Sequence, residues 1–301
     1  MGTPPIVTRF APSPTGDLHL GGALVALASY WMAKRQGGTF VLRVEDIDTP
    51  RVIDSSREAI EEDLRWLGLT WDRTVIQSEE HRGHLAAFEA LGPYLYPCDC
   101  SRKEIASVAS APHEGEEVVY PGTCFPRPRD REFRKPPAFR IRVPDQTVAI
   151  YDELKGDYVQ NLRRDVGDFV LRRNDDVFSY QLVVTVDDLA NGITDIVRGD
   201  DLLPSTPRQA WLASLLGQPY PRTWHLPMMR DSEGQKLSKR SALSSVRDLR
   251  SHGVSGSRVL GFLAYGLGLS DNPLEETDLP TLLRSPQDRM VPQALTLPTA
   301  W

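Results

Sequence analysis

Short apolar runs broken by proline and glycine open the chain, and their spacing predicts alternating elements. Ile6–Phe10 is an apolar-rich run of strand length. Pro12-Ser-Pro-Thr-Gly16 follows as a loop, because two prolines and a glycine do not fit inside a regular element. Ala23–Gln36 reads as a helix ended by Gly37-Gly38, and Thr39–Val44 as a second strand. Strand, helix, strand with a crossover helix is the unit of a parallel sheet.

Further along, Asp54–Gly68 reads as a helix, with Leu64, Trp66 and Leu67 as apolar positions and Gly68 as its stop. From Cys98 to Asp175 the chain changes character, gathering its cysteines, many prolines and a basic stretch, which predicts an insertion into the sheet domain. Val177–Val186 reads as a strand with its flanks, and Gly192–Val197 leads into another. Thr206–Leu216 reads as a helix with Pro207 in its first turn. Residues 241–301 read as mostly helical, ending in a Pro-rich tail expected to be mobile. The expected division is 1–97 and 176–240 as two halves of one domain, 98–175 as the insertion, and 241–301 as a short helical region.

Length and composition add limits. The 301 residues, 40% hydrophobic and 25% charged, suffice for a sizeable buried core. No apolar run approaches the roughly 18 residues of a membrane span, and the first residues lack a signal-peptide pattern, so the expectation is a cytoplasmic protein. A net charge of −6 argues against bulk nucleic-acid binding. It leaves room for a local patch in Arg127–Arg142, where Arg127, Arg129, Arg131, Arg134, Lys135, Arg140 and Arg142 face only Asp130 and Glu132. A solvated connector is the alternative.

Two segments carry candidate phosphate chemistry. Arg9-Phe-Ala-Pro-Ser-Pro-Thr-Gly-Asp-Leu-His-Leu-Gly-Gly22 runs from a strand end through a rigid turn to a helix start, where unpaired N–H groups and the helix dipole favour phosphate. Gly21 and Gly22 would let a flat ligand lie close, and His19 could donate to a phosphate oxygen. Gln235-Lys-Leu-Ser-Lys-Arg240, after Gly234, suits a loop folding over a polyphosphate, with Lys239 neutralising charge as it leaves. The first segment resembles the His-Ile-Gly-His region of class I aminoacyl-tRNA synthetases in its glutamyl form. The second resembles their Lys-Met-Ser-Lys-Ser loop.

That resemblance implies a Rossmann-like α/β catalytic domain. It implies ATP contacts at Pro12, Thr15, His19, Gly21, Gly22, Lys236 and Lys239, with His19 and Lys239 catalytic and Mg²⁺ arriving with ATP. A glutamate pocket must satisfy two carboxylates and one ammonium, so it needs arginines and an acid. Arg9, Glu45 and Arg198 stand at strand ends, where ligands of open parallel sheets bind, and Tyr180 can be placed there too. Read alone, Arg9 could instead pair with Glu45 or Asp46, and Tyr180 could be a core aromatic. Val44-Glu-Asp-Ile-Asp48, Ser179-Tyr-Gln-Leu182 and Val197-Arg-Gly-Asp-Asp-Leu202 resemble glutamyl-tRNA synthetases, which implies that Arg9, Ser13, Glu45, Tyr180 and Arg198 contact glutamate.

Cys98, Cys100 and Cys124 are an odd number without a leader, poor material for a disulfide framework but suited to one structural Zn²⁺. His113, Tyr120 or water could complete it. Tyr120-Pro-Gly-Thr-Cys124 resembles the zinc site of a shorter family, the glutamyl-queuosine tRNA(Asp) synthetases, which implies Tyr120 as fourth ligand. That family also lacks an anticodon-binding domain, and only 61 residues follow Arg240 here. The resemblance implies tRNA-independent activation of glutamate with ATP, then its transfer to the queuosine base of tRNA(Asp). The alternatives are a minimal enzyme charging tRNA(Glu) and a non-catalytic glutamate- or ATP-binding module. A monomer is the default expectation.

Overall fold

The computed structural model describes residues 5–101, 103–105, 119–230, 244–273, 275–298 and 301. The expected unit opens it: β1 (Val7–Phe10), α1 (Leu20–Arg35) and β2 (Thr39–Val44), with Val7 beside Thr39 and Phe10 beside Leu42 in parallel register. Next come α2 (Ser56–Trp66), β3 (Arg73–Ile76), α3 (His81–Ala90) and β4 (Leu95–Cys98). Then follow β5 (Ala138–Ile141), β6 (Thr147–Asp152), β7 (Gly156–Asn161) and β8 (Phe169–Arg172). The chain continues through α4 (Tyr180–Ala190), β9 (Asp195–Gly199), α5 (Thr206–Leu215) and β10 (Arg222–Leu226). The short helices α6 (Val246–Ser251), α7 (Gly256–Gly266) and α8 (Leu279–Arg284) close it.

The main sheet runs β3-β2-β1-β9-β10-β6-β7. Its pairs are parallel except β6 with β7. β1 sits between β2 and β9, so the chain winds away from β1 on both sides and leaves a crevice at the carboxyl ends of these strands. α1 is buried nearly all round, packing on β1, β2 and β9 on one side and on α7 and α8 on the other. Trp31 Nε1 ties it to the α8 end by donating to Leu282 O at 3.1 Å. Its exit is fixed by sterics: Gly37 has φ of +65°, and a Cβ on Gly38 would lie 2.2 Å from Ile6 O.

Three expectations change. α1 starts at Leu20, before the expected Ala23, because the His19 ring caps it by accepting Gly22 N–H at 2.9 Å. Val177–Val186, expected as strand, lies mostly in α4: its β-branched run favours a strand locally, but tertiary packing overrides that preference in a helix buried continuously from Leu182 to Asp188. The Pro-rich tail is not loose. Leu295 and Leu297 are buried, Arg230 N–H donates to Leu295 O at 2.8 Å, Leu297 N–H donates back to Arg230 O at 3.0 Å, and Trp301 packs edge-on against Phe262.

The stretch 98–175 is joined to its surroundings in two ways. The β6–β7 hairpin extends the main sheet, with Asp152 beside Thr223 of β10. The strands β4, β5 and β8 form a small antiparallel sheet. Ile141, Leu162, Phe169 and Leu171 share one apolar core with Phe88, Phe178, Leu182 and Trp211. Much of the basic stretch is spent internally: Arg131 and Arg134 clamp Asp99, Arg142 pairs with buried Asp168 at 3.0 Å, and Arg140 stacks 3.9 Å over the Tyr120 ring. Those four cations are engaged within the protein, although the Arg134 side chain stays 58% exposed.

Candidate active site

The crevice at the strand ends is a cleft of about 640 Å³. Arg9, Pro12, Ser13, Thr15, His19, Gly21, Gly22, Glu45, Tyr180 and Arg198 all line it. Residues far apart in sequence therefore meet as expected. Lys236 and Lys239 lie outside the described residues.

Buried charges form its floor. Arg9, at the end of β1, donates through Nε to Asp188 Oδ1 at 2.9 Å and through Nη1 to Val197 O at 3.1 Å. Its partner is thus neither Glu45 nor Asp46 but a residue of α4. Asp188 also takes Arg43 Nη1 at 2.5 Å, and Arg43 Nη2 reaches Glu45 Oε1 at 3.0 Å. Burial pushes the Asp188 carboxyl upward, but Arg43 and Arg9 outweigh it and hold it below its ordinary value. At Glu45 burial wins over the same two arginines, so its carboxyl lies above the ordinary range. An ammonium placed beside Glu45 would draw it back to the carboxylate.

Arg198 is held differently. Its Nε donates to His225 Nε2 at 3.0 Å, Nη1 to Gln209 Oε1 at 2.8 Å and Nη2 to Thr206 Oγ1 at 2.8 Å. His225 Nδ1 lies 2.6 Å from Asp152 Oδ2. Tyr180 lines the same cleft and is 37% exposed; burial of its hydroxyl raises its pKa, and Arg198 works the other way. Arg43, Asp188, Asp152 and His225 were not singled out from sequence. One signal was present: Arg43 interrupts the apolar strand Phe40-Val-Leu-Arg-Val44, and such a charge demands a buried partner.

At the other end of the cleft lies the start of α1. Because His19 Nδ1 accepts Gly22 N–H, the proton of the neutral ring sits on Nε2. A Cβ on Gly21 would lie 3.1 Å from His19 Nδ1, so glycine leaves this ring its place. Ser244 O accepts Leu20 N–H at 2.9 Å and Leu18 O accepts Val246 N–H at 2.9 Å. The chain leaving the lysine segment is therefore pinned beside His19.

Residues 5–276 match the family model of the catalytic domain of class I tRNA synthetases (E and Q). A glutamyl-Q tRNA(Asp) synthetase of Deinococcus radiodurans is 46% identical over 92% of this chain and 95% of its own length. The chain belongs to the glutamyl-Q tRNA(Asp) synthetases. A Geobacter sulfurreducens member of this class I family is also 46% identical, over 83% of this chain and 81% of its own. Among solved structures, a glutamate tRNA ligase from Elizabethkingia meningosepticum, in complex with its amino acid, superposes with a TM-score of 0.82. That match is 26% identical and covers 98% of this chain and 67% of that one.

In this synthetase a second group of side chains lies outside the cleft. The sulfurs of Cys98, Cys100 and Cys124 fall within 4.8 Å of one another. Tyr120 Oη is 3.4 Å from Cys98 Sγ and 3.5 Å from Cys100 Sγ, and Cys100 and Cys124 sulfurs are 3.5 Å apart. A tetrahedral ion about 2.3 Å from sulfur and about 2.0 Å from oxygen requires S···S edges of about 3.8 Å and S···O edges of about 3.5 Å. These four atoms could therefore hold one ion. His113 lies outside the described residues.

Proposed function

We propose that the protein activates glutamate with ATP, without tRNA, and transfers it to the queuosine base in the anticodon of tRNA(Asp). The observation that carries this reading is the pairing of sequence with cleft. The chain is 46% identical to a glutamyl-Q tRNA(Asp) synthetase along 95% of that protein, and Arg9, Ser13, His19, Glu45, Tyr180 and Arg198 line one cleft whose charged floor suits a dicarboxylic amino acid. The charging enzyme from Elizabethkingia shares only 26% identity and is two-thirds covered.

Arg9, Arg198 and Ser13 take the substrate carboxylates, Glu45 its ammonium, and Tyr180 packs over it. Pro12, Thr15, Gly21 and Gly22 receive ATP, which arrives with Mg²⁺. The glutamate α-carboxylate attacks the α-phosphorus of ATP. A new oxygen–phosphorus bond forms, and the bond to pyrophosphate breaks. His19 Nε2 and the ammonium groups of Lys236 and Lys239 offset the charge that develops on the phosphates. A hydroxyl of the queuosine cyclopentene ring then attacks the glutamyl carbonyl, and AMP leaves. A single-stranded loop suits this second step, since its bases can be splayed out.

One structural Zn²⁺ on Cys98, Cys100, Cys124 and Tyr120 would hold β4 to the segment after it, with no part in the chemistry. The activation step is tested by glutamate-dependent exchange of pyrophosphate into ATP. Exchange at full rate without any tRNA is expected. Exchange that appears only when tRNA is added would contradict the reading.

A further inference from the structure

The arginines of the cleft floor differ in how their charge is answered. Arg9 and Arg43 are bonded to carboxylates. Arg198, buried as deeply, makes no ion pair among the described residues: its three side-chain acceptors are an imidazole nitrogen, an amide oxygen and a hydroxyl.

The imidazole state follows from donor logic. Arginine can only donate, so His225 Nε2, which receives Arg198 Nε–H, carries no proton. The ring proton is on Nδ1, facing Asp152 Oδ2 at 2.6 Å. Asp152 is fixed in turn by backbone N–H groups of Leu154 and Lys155 at 3.1 and 3.0 Å. Burial and the nearby Arg198 both push His225 below its ordinary pKa, which keeps the ring neutral. Gln209 is likewise committed, its Nε2 donating to Gln181 Oε1 at 2.8 Å and its Oε1 also taking the Tyr220 hydroxyl at 2.8 Å. These bonds use three of the five guanidinium donors.

We infer that Asp152, His225, Gln209 and Thr206 are positioning residues that hold Arg198 rigid through neutral acceptors, so that its full charge is kept for the glutamate substrate. The contacts fit. Arg9 and Arg43 touch the carboxylates of Asp188 and Glu45, whereas the carboxylate in the Arg198 network, Asp152, stands behind the neutral His225 ring and leaves the guanidinium without a direct anionic contact among the described residues. A carboxylate in place of any neutral acceptor would keep the geometry but answer the charge from the protein side. The inference rests on the reading that Arg198 receives a substrate carboxylate.

The test measures glutamate KM and ATP KM in pyrophosphate exchange for R198A, Q209E, T206D and H225Q. Q209E is nearly isosteric, and a flip of the Gln181 amide restores its bond. T206D places an acid at the first residue of α5, where the helix dipole tolerates it. Both should raise glutamate KM about tenfold or more with ATP KM unchanged, because a carboxylate against the guanidinium answers its charge before the substrate carboxylate arrives. H225Q, which keeps a neutral acceptor, should stay within about threefold of the parent. Glutamate KM at the parent value in R198A would overturn the underlying reading. A raised KM in R198A with parental KM in whichever of Q209E and T206D folds would overturn this inference alone.

Discussion

At the scale of single residues, the cleft shows which chemistry sequence can reveal. Arg9, Glu45 and Arg198 were legible because each ends a strand, and strand ends face the crevice. Asp188 was not, because it lies just beyond Val177–Val186, which read as a strand, and nothing in that run marks the acid that follows it. It is buried and carries two arginines. Asp188→Asn should therefore cost about 3–5 kcal/mol in urea unfolding, since it leaves buried cations without their anion. Asp63 poses the opposite case. It lies buried on α2 with neither oxygen hydrogen-bonded, and Arg247 is its ion partner at 3.7 Å. Burial raises its carboxyl to about 6, against a pull from Arg247. Between about 4 and 6 the folded state binds this proton and the unfolded chain does not, so this group's contribution grows as pH falls through that window and is lost as pH rises past 6. Asp63→Asn should raise the melting temperature at pH 8, and the gain should fade by pH 4; a gain independent of pH would contradict the assignment.

Whole elements obey packing before propensity. Val183-Val-Thr-Val186 favours a strand by composition, yet it lies in α4, which is buried continuously from Leu182 to Asp188 and sets Asp188 against Arg9 and Arg43. The start of α1 was misplaced for a related reason: paired glycines look like loop until a capping imidazole is seen. The tail was misjudged because proline content says nothing about whether Leu295 and Leu297 find a core. Gly261 of α7 lies against the chain at Glu275, where an added Cβ would fall inside the carbonyl oxygen. Gly261→Ala should lower the melting temperature by several degrees, as overpacking of 1–3 kcal/mol predicts. The cysteine cluster acts at this scale too. One Zn²⁺ per chain is expected by elemental analysis, and removing it with a chelator should lower the melting temperature and expose the segment after β4 to protease.

At the scale of the molecule, the parallel sheet was legible from its first crossover, while the β6–β7 hairpin was not. Exposed Tyr151 and Val159 on that hairpin give no sign that β6 joins β10. The join matters because it brings Asp152 to His225 and so to Arg198. The sheet thus couples a segment that read as insertion to the floor of the cleft. The basic stretch was likewise visible, but only the fold shows its cations spent on Asp99 and Asp168. What the cleft delivers is the central claim, and it is tested by incubating the protein with ATP, radiolabelled glutamate and purified tRNA. Queuosine-containing tRNA(Asp), the same tRNA lacking queuosine, and tRNA(Glu) would be compared. Label on the queuosine-containing tRNA alone is the predicted result, and label on tRNA(Glu) would contradict it.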